Sequence, residues 1–131
     1  MSKPVILFLD DNPDRHRQFD IQYSGCDVVH CYTVDQFVDC LKNDAFDHFD
    51  MISLDHDLND FDSHSTNYDG QEATGMDACG LMVNKKYASK LPDMIHIHSV
   101  NPCGANNMRS FLQNRGLTVR WIPFSSVQDD D

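Results

Sequence analysis

Three short strings in this chain combine carboxylates with imidazoles: Asp10-Asp11, Asp55-His56-Asp57, and His98-Ser99 with Asn101 two residues on. Each follows directly on an apolar run. Asp and His are costly to bury unpaired, so such strings belong where a strand leaves the core and opens onto solvent. In an open parallel sheet, ligands bind just outside the carboxyl ends of the strands. Asp10, Asp11 and Asp55 together would form a set of oxygen ligands suited to Mg²⁺ or Mn²⁺. Helix capping and solvation are the plainer reading of an acidic pair after a strand. His56 and His98 each fit a general acid or base, since imidazole titrates near neutrality. A metal ligand or a structural histidine remains the alternative for both. Asp57 has the place of a carboxylate that orients a histidine. The helix opening at Asn101 offers backbone N–H groups for a phosphate, and the Ser99 hydroxyl and Thr74 are further candidates for substrate binding.

Composition narrows the classes. With 131 residues, 40% hydrophobic and 24% charged, the chain fits one soluble domain with a real core. We expect a domain over residues 1–124 and an acidic tail over 125–131. The formal net charge of −11 argues against binding to duplex DNA, which rests on phosphate neutralisation. A phosphate ligand would need a cation to offset the carboxylates, and a divalent metal is the natural one. No apolar run approaches the ~18 residues of a membrane span, and the start is too short and acidic for a signal peptide. Five cysteines without a CxxC pair read as reduced thiols of a cytoplasmic protein.

The elements that must position the three strings alternate. Val5 to Leu9 is a continuous apolar run, as in a strand covered on both faces. Asn12-Pro13 caps a helix that runs to near Gly25. A strand follows from Asp27 to Tyr32, then a helix from Thr33 with Val34, Phe37, Val38 and Leu41 at helical spacing. The third strand leads to Asp55. From Asn59 to Ala73 there is no periodicity, the mark of a lid, a binding loop or a tolerated surface insertion. Thr74-Gly75-Met76-Asp77 opens a helix carrying Met76, Cys79, Gly80, Val83 and Tyr87 on one side. Met94 to His98 is a fourth strand, Asn101 to Gly116 a helix, and Thr118 to Phe124 a fifth strand. His96 is assigned to structure, while His16, His30, His48 and His64 have no supporting context. Strand–helix alternation predicts an α/β fold: a doubly wound parallel five-stranded sheet in the order 2-1-3-4-5, the last helix missing.

The acidic pair, Asp55 and Ser99 resemble the corresponding positions of response-regulator receiver domains. A receiver carries a lysine at the end of strand five, where Trp121-Ile122-Pro123-Phe124 offers none. A closer similarity is to the cyclic-phosphate processing receiver-like family. It rests on Leu9-Asp10-Asp11, Leu54-Asp55-His56-Asp57-Leu58, Thr74-Gly75-Met76-Asp77, His98-Ser99-Val100-Asn101-Pro102 and Gly104-Ala105-Asn106-Asn107-Met108. This resemblance implies a metal-dependent phosphoesterase acting on a nucleotide or RNA end that bears a cyclic phosphate. His56, His98 and Asp57 would be catalytic, and Asp10, Asp11 and Asp55 would hold the metal. The rival readings are a non-catalytic nucleotide- or protein-binding module, and a degenerate receiver that signals by protein contact.

Overall fold

A computed structural model of the chain describes residues 3–58 and 73–123. The elements are β1 (Val5–Leu9), α1 (Pro13–Gln22), β2 (Asp27–Cys31), α2 (Val34–Lys42), β3 (Met51–Leu54), α3 (Gly75–Met82), β4 (Met94–Ile97), α4 (Pro102–Asn114) and β5 (Thr118–Trp121). A 3-10 turn spans Lys85–Lys90 between α3 and β4. The five strands are all parallel and lie in the order β2-β1-β3-β4-β5, as the alternation predicts.

Side chains along a strand point alternately to the two faces, and the two faces here carry unequal loads. Leu7, Leu9, Ile52, Leu54, Ile95 and Ile97 join Phe37 and Leu41 of α2, Cys79 and Met82 of α3, and Met108 and Leu112 of α4 in the main core. The other face holds the smaller cluster of Ile6, Phe8 and Phe19, the last from α1. The helix starts follow the sequence signals. Asn12, Thr33, Thr74 and Asn101 each accept a backbone N–H of their own first turn, with Pro13 and Pro102 at the first helical position.

One helix is shorter than its apolar spacing predicts. The periodicity reaches Tyr87, yet α3 stops at Met82. Asn84 accepts the Lys86 N–H with its side chain, and this local bond competes with the helical one and turns the chain into the 3-10 segment. Tyr87 is still buried, so the spacing signalled packing rather than a continuous helix. The expected loop from Asn59 lies outside the described residues except for Ala73, which is buried. The tail and the question of a last helix also fall outside them.

Gly75 fixes how closely α3 meets the sheet. Its N–H donates to the His56 carbonyl at 2.8 Å. A Cβ here would lie 2.1 Å from the Asp55 carbonyl oxygen and 2.8 Å from the Met108 side chain. Backbone cannot yield as a side-chain tip can. Gly75→Ala is therefore expected to destabilise the protein by about 2–3 kcal/mol, read as a lower urea midpoint at unchanged m.

Candidate metal and phosphate site

The backbone ladder runs one residue past three strand ends. Asp10 N–H donates to the Cys31 carbonyl at 3.0 Å, Asp55 N–H to Leu9 at 3.0 Å, and His98 N–H to Leu54 at 2.9 Å. With Leu9 paired to Leu54 and Leu54 to Ile97, this register sets Asp10, Asp55 and His98 in one row on one face. All three are buried, and each offers a ligand atom within 4.8 Å of the others. Asp11 is buried as well but is not among these three. Asp11 lies near as well: after burial and the Asp10 charge, its charge also pushes the Asp55 carboxyl up. His98 joins Asp10 and Asp55 in that set.

His98 is held on both nitrogens. Nε2 lies 2.8 Å from Asp10 Oδ2, and Nδ1 lies 2.8 Å from the Ser53 hydroxyl. Phe8 stacks on the ring at 4.7 Å. Facing an ionised carboxylate, which only accepts, Nε2 donates and Nδ1 accepts the Ser53 O–H; a cation seated between Asp10 and His98 would call for the opposite tautomer, with Nδ1 donating to the Ser53 oxygen. Asp10 further accepts the Asn12 N–H at 2.8 Å.

Two carboxylates in one dry pocket titrate apart. Burial alone would push Asp10 up, but the His98 hydrogen bond and charge, the Asn12 N–H and Arg15 together hold it below the usual carboxylate range. Burial, with the Asp10 charge beside it, pushes the Asp55 carboxyl up to about 8, Arg15 opposing. Asp55 Oδ2 is fully buried without a hydrogen bond among the described residues. Its nearby cation is Arg15 Nη1 at 3.6 Å, which also lies 3.4 Å from Asp10 Oδ2. Sequence reasoning missed Arg15. The signal was present, because Asn12-Pro13 fixes the helix start and therefore sets Arg15 in the first turn beside the acidic pair. It supplies from α1 a cation to the acidic pocket, where strand five has no lysine.

Two further histidines take up positions the sequence did not suggest. His16 is buried, its Nε2 2.7 Å from the Asp10 carbonyl and its Nδ1 2.5 Å from Nδ1 of His30. His30 Nε2 continues to Asp20 at 2.9 Å. This chain of contacts braces the Asp10 backbone from the α1 side. Nothing in the local sequence marks it, since the residues meet only across β1, α1 and β2.

His56 and Asp57 form a second group at the rim. His56 Nδ1 is 2.8 Å from Asp57 Oδ1, and Asn101 Nδ2 donates to the same carboxylate at 3.3 Å. The His56 ring lies flat against the start of α4, where a Cβ on Gly104 would come within 2.4 Å of it. His56 is the more accessible imidazole, with 18% of its side chain exposed against 6% for His98. The start of α4 is less open than the sequence suggested. Asn101 Oδ1 already accepts the Gly104 N–H at 3.1 Å, and Pro102 has none to give. Ser99 is fully buried; its hydroxyl accepts the Asn101 N–H and its carbonyl accepts Trp121 Nε1. Thr74 completes a capping box with Asp77, so its hydroxyl is engaged in the helix start.

The raised Asp55 carboxyl makes a prediction about the metal-free protein. Folding holds its proton between the unfolded value of 3.8 and about 8, so stability falls as pH rises through that window. Asp55→Asn removes the dependence. Its melting temperature is expected to exceed that of the native sequence above pH 8 and to converge with it near 3.8, measured by calorimetry with chelator present.

Comparison with known proteins agrees with this fold. Among curated proteins none matches. Among solved structures, the non-phosphorylated HemR receiver domain from Leptospira biflexa superposes with a TM-score of 0.63 at 18% identity, covering 96% of this chain and 87% of that one. The response regulator TrrA from Thermotoga maritima, solved in complex with Mg²⁺-BeF, gives 0.57 at 15% identity over 96% and 90% of the two chains. A receiver domain protein from Methanospirillum hungatei gives 0.57 at 15% over 95% and 85%. These likenesses establish the fold. The family model described as the cyclic-phosphate processing receiver domain matches residues 5–114. The chain belongs to that family.

Proposed function

We propose that this protein is a metal-dependent phosphoesterase that opens a cyclic phosphate, either the 2',3'-cyclic end of an RNA or a cyclic nucleotide. The observation that carries the reading is the buried Asp55 Oδ2, which has no hydrogen bond among the described residues, only Arg15 Nη1 at 3.6 Å, and lies in a cluster with Asp10 and His98. An exposed acidic patch needs no ion, but a desolvated carboxylate oxygen without a donor is expensive to keep. Asp10, Asp55 and His98 would hold Mg²⁺ or Mn²⁺, with Asp11 beside them. Bound there, the ion supplies positive charge against the phosphoryl group.

The remaining roles belong to the chain. His56, half-open at the rim and oriented by Asp57, is the proton-transfer group for the attacking water or the departing ribose oxygen. Asn101 steadies that pair from α4. His98 has both ring nitrogens hydrogen-bonded in a buried setting, which favours fixing Asp10 over exchanging protons with solvent; to hold the ion, Nε2 would give up its hydrogen while Nδ1 donates to Ser53. Ser99 and Thr74 act by fixing the two helix starts that frame the rim.

Two measurements test this. Incubation with a panel of cyclic phosphates is expected to give turnover with Mn²⁺ or Mg²⁺ and none with chelator. Asp55→Ala is expected to abolish it, and His56→Ala to lower kcat by about 10²- to 10⁴-fold. Stoichiometric recovery of unaltered ligand would instead support a binding module. Separately, a metal that takes the ionised Asp55 must displace its proton below pH 8, so Mn²⁺ affinity should rise with pH up to that value. Calorimetry in buffers of different ionisation enthalpy should show about one proton released per ion, and none in Asp55→Asn.

A further inference from the structure

Away from the acidic row, two thiols meet. Cys31 Sγ and Cys40 Sγ are 3.6 Å apart, bridging the end of β2 and the last turn of α2. Cys31 is fully buried in the main core, whereas Cys40 is only partly buried against it. Cys26, Cys79 and Cys103 have no sulfur contact among the described residues. A disulfide needs sulfurs about 2.0 Å apart, so closure asks for a shift of about 1.5 Å, within reach of side-chain rotation and a small approach of α2. The ring closed is short, since only eight residues separate the two cysteines.

We propose that Cys31 and Cys40 are a redox pair, oxidised reversibly to a disulfide by hydrogen peroxide. Cys40 reacts first, because it is reachable, and because burial, followed by the neighbouring Cys40, raises the Cys31 thiol far above its ordinary range. The Cys40 thiolate attacks one peroxide oxygen; an S–O bond forms, the O–O bond breaks, and the departing hydroxide takes a proton to become water. Cys40 is then a sulfenic acid. Cys31 Sγ attacks the Cys40 sulfur; the S–S bond forms, the S–O bond breaks, and the leaving hydroxide takes the Cys31 thiol proton as a second water. Two thiols and one peroxide thus give one disulfide and two waters, and a thiol reductant reverses the step by exchange.

The pair is coupled to the acidic row by one bond. The carbonyl of Cys31 accepts the Asp10 N–H at 3.0 Å, so a movement of the β2 end is felt where Asp10 leaves β1. Neither the chemistry nor this coupling depends on the phosphoesterase reading.

The test uses the full chain carrying Cys103→Ser, which removes the exposed thiol, treated with peroxide and alkylated without reductant. Before alkylation the expected product is lighter by two hydrogen atoms and dithiothreitol restores the starting mass; after alkylation Cys31 and Cys40 are found unalkylated in one linked peptide. Cys31→Ser should instead accumulate a dimedone-reactive Cys40, and the Asp10 amide resonance should shift on oxidation of the parent and not of Cys31→Ser. Persistent sulfenic or sulfinic Cys40 without a link, or oxidation that leaves both thiols free, would overturn the redox pair. A linked product with an unmoved Asp10 resonance would overturn the coupling.

Discussion

The structure is organised around the enforced proximity of Asp10 and Asp55. Two full negative charges within 4.8 Å of each other repel by at least roughly 3 kcal/mol even at an effective dielectric constant of 20. Burial adds a desolvation penalty to each. The two groups are therefore driven into different protonation states, with Asp10 kept ionised by His98, Arg15 and the Asn12 N–H while Asp55 retains its proton. A pocket of this kind is a poor stabiliser of the fold and a good host for a cation. Stability and ligand binding pull in opposite directions here, as is usual at functional sites.

The rest of the site spreads that strain over the scaffold. Ser53 and Phe8, one inside β3 and one inside β1, fix the ring of His98 from within the sheet. His16 and His30 hold the Asp10 carbonyl from the α1 side, and Arg15 reaches across from the first turn of the same helix. Each of these contacts acts on the same short stretch after β1. Replacing any one of them leaves a buried polar group with one partner fewer, which costs more than the lost bond was worth.

The rim is built differently, by close backbone approach. Gly75 lets α3 begin against the Asp55 carbonyl, and Gly104 lets α4 begin against the His56 ring. The two helices, neighbours on one face of the sheet, thereby crowd the end of β3 and decide which way His56 faces. Its partner Asp57 is half in solvent and receives Asn101 from α4. A buried acidic row with a partly open imidazole beside it combines a place for charge with a group free to exchange protons, and that pairing distinguishes this chain from a receiver that carries only the acidic row.

The sequence by itself determined the five parallel strands, their order, the capped helix starts and the convergence of Asp10, Asp55 and His98. All of these are local or periodic: apolar runs, Asn-Pro and Thr caps, and polar residues immediately after strands. Tertiary structure alone decided which side chains within each polar string face one another. Register brings His98 beside Asp10 and Asp55. Arg15, the His16–His30 pair and the Cys31–Cys40 contact each join residues whose meeting depends on packing between elements. The early end of α3 has the same origin, since one Asx bond at Asn84 outweighed an apolar period that continued to Tyr87. Spacing along a chain reports which face a residue occupies; the distance between two faces is set by the packing of the elements that carry them.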